Sequence, residues 1–174
     1  DIAKDNLIQS AQWFHEQAQK ERDEAVVNQD TAMLERAQAK YALAAKTYAE
    51  FLKKHPNDKD AFLWNFFYAE TLFYSEQYML AYEQYRTVRE MDLRSKEFAD
   101  IQETSAFNAV KALELIIKDR VAQGEIPGKV LPDGGGQQGG EEVADASATT
   151  DGEQEANTEV AAIKAEPLPE LVRK

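Results

Sequence analysis

The chain has 174 residues, and its 32 acidic and 20 Lys or Arg residues give a formal net charge of −12 at pH 7. That charge argues against nucleic acid and anionic lipid as partners, because both present phosphates that Lys and Arg must neutralise. Cysteine is absent, which excludes disulfides and thiolate metal sites and is compatible with both the cytoplasm and the bacterial periplasm. No apolar run approaches the length of a membrane span.

The distribution of glycine divides the chain. All eight glycines lie at or after Gly124, and Pro56 is the only proline before that point. Residues 1–123 are therefore almost free of helix breakers and are predicted to form a nearly all-helical domain. Residues 124–166 are rich in Gly, Glu and Ala, and are predicted to be a flexible acidic linker. Residues 167–174 are either the start of a further helix of a longer repeat protein or an unstructured terminus.

Two long helices are predicted first. One starts near Asp5 and carries an apolar stripe that Trp13 widens. The second is capped by Asp30 or Thr31 and ends before Pro56, because proline disfavours helical geometry in the preceding residue. The two predicted stripes are Leu7, Ala11, Phe14 and Ala18, then Leu34, Ala37, Tyr41, Ala44, Tyr48 and Leu52.

Three further helices are predicted over residues 59–75, 78–92 and 95–122. The third helix has aromatic residues all round its axis, so we expect it to be central and to pack on more than one side. Ten of the 17 aromatic residues fall between positions 62 and 85, which fits a repeat core. The fifth helix is predicted to present Phe98, Ile101, Ser105, Val110, Leu113 and Ile117 to the core and to stop at Gly124.

Two motifs recur along the chain. Tyr41-x-x-Ala44-x-x-x-Tyr48 returns as Tyr78-x-x-Ala81-x-x-x-Tyr85, 37 residues later. Phe67-x-Ala69-x-x-Leu72 is echoed by Phe107-x-Ala109-x-x-Ala112, forty residues on. Repetition at this period indicates stacked supersecondary units that share one core.

These motifs resemble the tetratricopeptide repeat family, in which each unit is a pair of antiparallel helices. The family's second helix carries an aromatic, a small and another aromatic residue, and a proline opens the link to the next unit. One copy matches Tyr41, Ala44, Tyr48 and Pro56; the next matches Tyr78, Ala81 and Tyr85, with Leu93 in place of proline; Ala69 and Leu72 fit a first helix. The resemblance implies an all-α, TPR-like α-solenoid of antiparallel helix pairs. The periods of 37 and 40 exceed the family's 34 and are similar to the lengthened units of bacterial cell-envelope proteins, which favours the periplasm or cell envelope over the cytoplasm.

Signals for chemistry are sparse. The two histidines, His15 and His55, have no second histidine at helical spacing, so we predict no metal site. Residues 57–60 lack the ligand series of a calcium loop and are predicted to form a turn and helix cap. No nucleophile motif surrounds the serines, and no phosphate loop ends the glycine tract. We therefore expect no enzyme activity and no cofactor.

The predicted binding face follows from the repeat alignment. If Tyr68, Ala69 and Leu72 face the repeat core, five residues of the same helix project toward the inner groove that such repeats use to hold peptides or partner helices. They are Leu63, Phe66, Glu70, Phe73 and Tyr74. This favours a non-catalytic scaffold for a peptide or helix of a partner protein. The alternative is a peptidoglycan-binding module in which Trp64, Phe66, Tyr74 and Tyr78 stack on sugar rings. The sequence specifies neither the partner nor the oligomeric state.

Overall fold

The computed structural model describes residues 2–91 and 98–127, which form five α-helices that pack sequentially in antiparallel pairs. The helices are α1 (Ile2–Asn28), α2 (Thr31–Lys54), α3 (Ala61–Tyr74), α4 (Tyr78–Glu90) and α5 (Ala99–Ala122). The prediction of an all-α protein is confirmed. In the described ranges no helix combines the length and apolar character that a membrane crossing requires. The predictions for residues 128–174 lie outside the described residues.

The helix ends follow the local chemistry of the sequence. The carboxylate of Asp30 accepts a hydrogen bond from the amide of Met33 at 2.9 Å and caps the start of α2. α2 ends at Lys54, two residues before Pro56. Gly124 follows α5 with φ +75°, the left-handed geometry that glycine adopts without steric cost.

Two tight corners lack this glycine. Gln29 after α1 and Glu76 after α3 have φ of 53° and 63°. At each corner the next amide reaches back five residues, from Asp30 to the Ala25 carbonyl at 3.0 Å and from Gln77 to the Leu72 carbonyl at 2.9 Å. These bonds satisfy carbonyl groups at the helix ends and hold non-glycine residues in a region that costs them about 1–2 kcal/mol.

The repeated tyrosine motif lies in the core in both copies. Tyr41, Ala44 and Tyr48 of α2 are fully buried, as are Ala81 and Tyr85 of α4, whereas Tyr78 is half-buried. The ring of Tyr41 stacks on Tyr74 of α3 with a centroid distance of 5.1 Å. The copies at α2 and α4 therefore use the same register, 37 residues apart.

α3 is the central helix, as its aromatic content predicts. Eleven of its 14 residues are buried, so it has no solvent-facing side. Its rings contact α2 through Trp64 and Tyr48, α4 through Phe73 and Tyr85, and the start of α5 through Phe62 and Phe98.

α1 packs on α2 through a face that the sequence only partly predicts. Its buried residues are Ala11, His15, Ala18, Arg22 and Ala25, spaced by four and three in turn. Trp13 is 55% exposed, so the prediction that it widens this face is wrong. Two residues along a helix turn the chain by about 200°, which places Trp13 opposite Ala11 and His15.

The register of α5 differs from the forty-residue echo. The buried residues of α5 are Ser105, Ala109 and Ala112, and α5 packs chiefly on α4. Phe107 is 62% exposed, whereas Phe67 is buried against α2, so the two are not equivalent. Val110 and Leu113 are also exposed, and their expected place in the core is wrong.

A shift of 38 residues aligns α3 with α5. With this shift Ser105 corresponds to Phe67 and Ala112 corresponds to Tyr74. These residues face the preceding helix, which is α2 for α3 and α4 for α5. The shift also takes the first residue of α3, Ala61, to the first residue of α5, Ala99. The repeat period is thus 37 residues from α2 to α4 and 38 from α3 to α5.

The buried alanines of the repeated motif give the first prediction. Replacing Ala44 or Ala81 with Leu should overpack a helix junction and lower the free energy of unfolding by about 1–3 kcal/mol. Ala39→Leu is the matched control because Ala39 is exposed on the same helix as Ala44. Thermal melts followed by circular dichroism test this expectation. Equal melting temperatures for all three variants and the parent chain would contradict it.

Candidate functional site

The structure encloses most of the predicted groove residues. Leu63, Phe66, Phe73 and Tyr74 are each between 3% and 7% exposed. The expectation that they present open apolar surface is therefore wrong, because α3 is covered on all sides by its neighbours. Partner binding by this face stays a prediction.

Glu70, the fifth predicted residue, joins three helices. Its carboxylate accepts hydrogen bonds from the Tyr85 hydroxyl of α4 and from Asn108 Nδ2 of α5, the latter at 3.0 Å. Burial raises the pKa of Tyr85 well above its usual range, and the charge of Glu70 adds to the rise. The hydroxyl therefore stays protonated and donates to the carboxylate, which connects α3 to both α4 and α5.

A cation on α1 contacts the last residue of α3. The guanidinium of Arg22, which is almost fully buried, lies 4.6 Å from the centroid of the Tyr74 ring, a cation–π geometry. It also pairs with Asp23 at 3.6 Å. Burial raises the pKa of Tyr41, which stacks on Tyr74, and no described residue bonds its hydroxyl. The charge of Arg22 is thus balanced by Asp23 and by the face of the Tyr74 ring, next to the stacked ring of Tyr41.

His15 occupies the junction of the first three helices. Its ring lies within 6.0 Å, centroid to centroid, of the rings of Tyr41, Tyr48 and Phe67. Burial lowers its pKa to about 3, so the imidazole is neutral at physiological pH. From the sequence, His15 was considered only as a candidate metal ligand. Its spacing from Ala11 and Ala18 was the signal that places it in the core.

A further polar contact fixes the loop between α2 and α3. Asp58 accepts hydrogen bonds from Trp64 Nε1 and from the Asp60 amide, each at 2.9 Å, and pairs with Lys4 of α1 at 2.5 Å. Burial alone would raise the pKa of Asp58, but these bonds outweigh it and the pKa is lowered. Asp58 ties the start of α1 to the entry of α3.

No group of three or more His, Asp or Glu residues within ranges 2–91 and 98–127 is arranged to hold a metal ion. His15, the buried histidine, is surrounded by aromatic rings, and its Nδ1 lies 3.5 Å from the Tyr48 hydroxyl. This arrangement gives His15 a packing role.

One open apolar surface lies on α5. Phe107, Val110 and Leu113 are 62%, 55% and 40% exposed and stand three residues apart; we name them the α5 patch. Successive members are rotated by about 60° around the helix axis, so the patch spans about 120°. Lys111 borders it, with Nζ 5.7 Å from the Phe107 ring centroid and 3.0 Å from a carboxylate oxygen of Glu114. The patch is thus an apolar surface with charges of both signs at its edge.

Comparisons with known proteins do not extend this description. No model of a known protein family matches the chain, and neither a curated protein nor a solved structure shows significant similarity to it.

The contrast between the enclosed groove residues and the α5 patch gives the second prediction. Phe73→Ala should destabilise the protein by about 3–5 kcal/mol, because it removes a buried ring that contacts Tyr78 and Tyr85. Phe107→Ala is the control and should change stability by less than about 1 kcal/mol, because most of that ring is exposed. Urea unfolding followed by circular dichroism measures both. Similar losses in the two variants would show that the assigned burial is wrong.

The buried histidine gives the third prediction. The unfolded chain protonates a histidine near pH 6.5, whereas folded His15 stays neutral down to about pH 3. Unfolding therefore takes up a proton within this window, so the free energy of unfolding should fall as pH falls, by up to about 1.4 kcal/mol per pH unit from this group. Above pH 6.5 this contribution is constant.

His15→Phe isolates the effect of the histidine. The variant should lose less stability than the parent chain between pH 7.5 and pH 5, because the carboxylates that also titrate are common to both. Urea unfolding at several pH values gives the two slopes. Parallel slopes would rule out a neutral, buried His15.

Proposed function

We propose that this chain is a non-catalytic protein–protein interaction scaffold, built as a TPR-like α-solenoid, that binds a peptide or helix of a partner in a multiprotein assembly. The observation that carries the proposal is the α5 patch, in which three exposed apolar side chains follow one another at intervals of three residues along one helix. Contiguous exposed apolar surface with a polar edge is typical of interaction sites. The bacterial cell envelope is the compartment that we favour, on the resemblance of the lengthened units.

The repeated geometry supports the TPR-like part of the proposal. The small residue and the second aromatic residue of the motif are buried at matching positions of α2 and α4, whereas the first aromatic residue is buried in α2 and half-buried in α4. Helices α3 and α5 each pack on the preceding helix in corresponding registers, 38 residues apart. Near-constant periods of this size are the signature of stacked repeats, and such proteins commonly bind other macromolecules.

The charge of the chain supports a protein as the partner. With a net charge of −12, the chain is unsuited to phosphate backbones or anionic lipid. The edge of the α5 patch carries both Lys111 and Glu114, a mixture found at the rims of protein interfaces. Protein side chains of either sign can complement this edge.

The peptidoglycan alternative has less support. Carbohydrate stacking needs flat, exposed rings, but Trp64, Phe66 and Tyr74 are buried and Tyr78 is half-buried. Within the described part of the chain no observation favours this function over protein binding.

Partner capture gives the fourth prediction. The tagged full chain and a Val110→Lys/Leu113→Lys variant are compared in quantitative capture from extract of the native source. The recovered amount of proteins that bind the α5 patch should be at least tenfold lower with the variant, because the substitutions force a charge into an apolar contact. Val27→Lys is the control, since Val27 is an exposed apolar residue at the end of α1.

The outcome separates specific from adventitious capture. Partners lost with the α5 variant and retained with Val27→Lys support the proposal. Equal recovery of every captured protein by all three chains would remove the α5 patch as the basis for the function.

A further inference from the structure

The face of α3 that packs on α4 is defined by polar and aromatic contacts. Asn65 Oδ1 accepts a hydrogen bond from Gln84 Nε2 of α4 at 2.7 Å. Eight residues later, the Phe73 ring contacts Tyr78 and Tyr85 of α4, with centroid distances of 5.6 and 6.3 Å. Ala69 and Leu72 lie between these contacts on the same side of the helix. Both are buried, at 0% and 2% exposure.

The 38-residue register carries this face onto the exposed side of α5. Ala69 corresponds to Phe107 and Leu72 to Val110, the two most exposed members of the α5 patch. The α5 patch therefore occupies the positions that a following helix covers in the preceding unit. In the described part of the chain α5 packs chiefly on α4, through the side opposite to the α5 patch. Among the described helices, none therefore covers the patch as α4 covers α3.

The same register predicts the charges that a covering helix would meet. Asn65 corresponds to Glu103 and Phe73 corresponds to Lys111. A helix lying on α5 as α4 lies on α3 would place its equivalent of Gln84 beside Glu103 and its equivalent of Tyr78 beside Lys111. Charge complementarity therefore favours a basic residue at the first position and an acidic residue at the second.

The size of Phe107 sets a further requirement for a helix that covers the α5 patch. Phe107 fills space that Ala69 leaves for α4, so a helix can approach closely only if it presents a small side chain there. Ala81 is the fully buried small residue of α4. A covering helix should keep such a residue between its acidic and basic positions.

From these observations we propose that the α5 patch is the docking site for an amphipathic helix of a partner protein that lies on α5 as α4 lies on α3. That helix carries an acidic residue facing Lys111, a small residue in the middle and a basic residue facing Glu103. The inference rests on the proposed scaffold function and specifies the surface and the partner element.

Defined peptides test this inference with the full chain. The complementary peptide has the sequence of residues 77–91 with Tyr78→Glu and Gln84→Lys. The reversed peptide carries Tyr78→Lys and Gln84→Glu, so its composition is identical and only the order of the charges differs. Fluorescence anisotropy of labelled peptides should show saturable binding of the complementary peptide, at least tenfold tighter than the reversed one.

Substitutions in the chain then locate the binding. Val110→Lys should weaken the complementary peptide at least tenfold, whereas Val27→Lys should leave its affinity unchanged. In the Glu103→Lys/Lys111→Glu chain the preference between the two peptides should reverse. Circular dichroism of each variant confirms that its helix content is retained.

Three results would overturn the inference. They are the absence of saturable binding, equal binding of the two peptides, and a preference that the charge exchange leaves unchanged. If partner capture depends on the α5 patch while the peptides fail to bind, the scaffold function stands and only the helical occupant is wrong.

Cross-linking distinguishes the other occupants. The chain has no cysteine, so Glu114→Cys gives a unique position at the edge of the α5 patch for a photoreactive label. Cross-links to the complementary peptide support the inference. Cross-links that form instead to a second copy of the chain, or to another segment of the same chain, show that the α5 patch is already covered and contradict the inference.

Discussion

The fold depends on the enclosure of α3, a helix with no polar face. Eleven of its 14 residues are buried, and such a helix is stable in water only when neighbours cover it on every side. α2 and α4 pack on two sides of it, while contacts from α1 and α5 reach it through Arg22 and Asn108. The three-residue corner between α3 and α4, with its strained non-glycine residue Glu76, returns the chain directly onto α3.

Polar groups inside the stack set how the helices meet. Glu70 bonds to both α4 and α5, Arg22 lies against an α3 ring, and Asp58 joins the start of α1 to Trp64. A buried polar group that loses its partner costs about 1–3 kcal/mol, so a shifted helix would break these contacts at a substantial cost. Apolar packing supplies the main stabilisation, whereas these bonds discriminate between one register and its neighbours.

The sequence predicted element types and ends well, because Gly124, Pro56 and Asp30 act locally and need no tertiary information. It could not orient α3. A helix that is apolar all round has no phase in its hydrophobic pattern, so the choice of a groove face rested entirely on a repeat alignment. The side chains chosen for that groove are inside the stack.

α5 shows a different limit of sequence analysis. It carries larger apolar residues at Val110 and Leu113 than at Ala109 and Ala112, and hydropathy alone assigns the larger ones to the core. The structure buries the small residues, because close contact with α4 needs small side chains. Trp13 was likewise placed in the core by its hydrophobicity, while His15 was judged by its chemistry and not by its helical spacing.

The one-sided packing of α5 has a thermodynamic consequence. Within the described residues α5 is held mainly by one neighbour, and a helix held in this way can open locally at a free energy below that of global unfolding, so its amides should exchange with solvent sooner than those of α3. Any ligand that binds only the closed helix adds RT ln(1 + [L]/Kd) to the free energy of this opening. Binding of a ligand to α5 would therefore slow the hydrogen exchange of the α5 backbone amides. Ligand binding and local opening of α5 would be thermodynamically coupled.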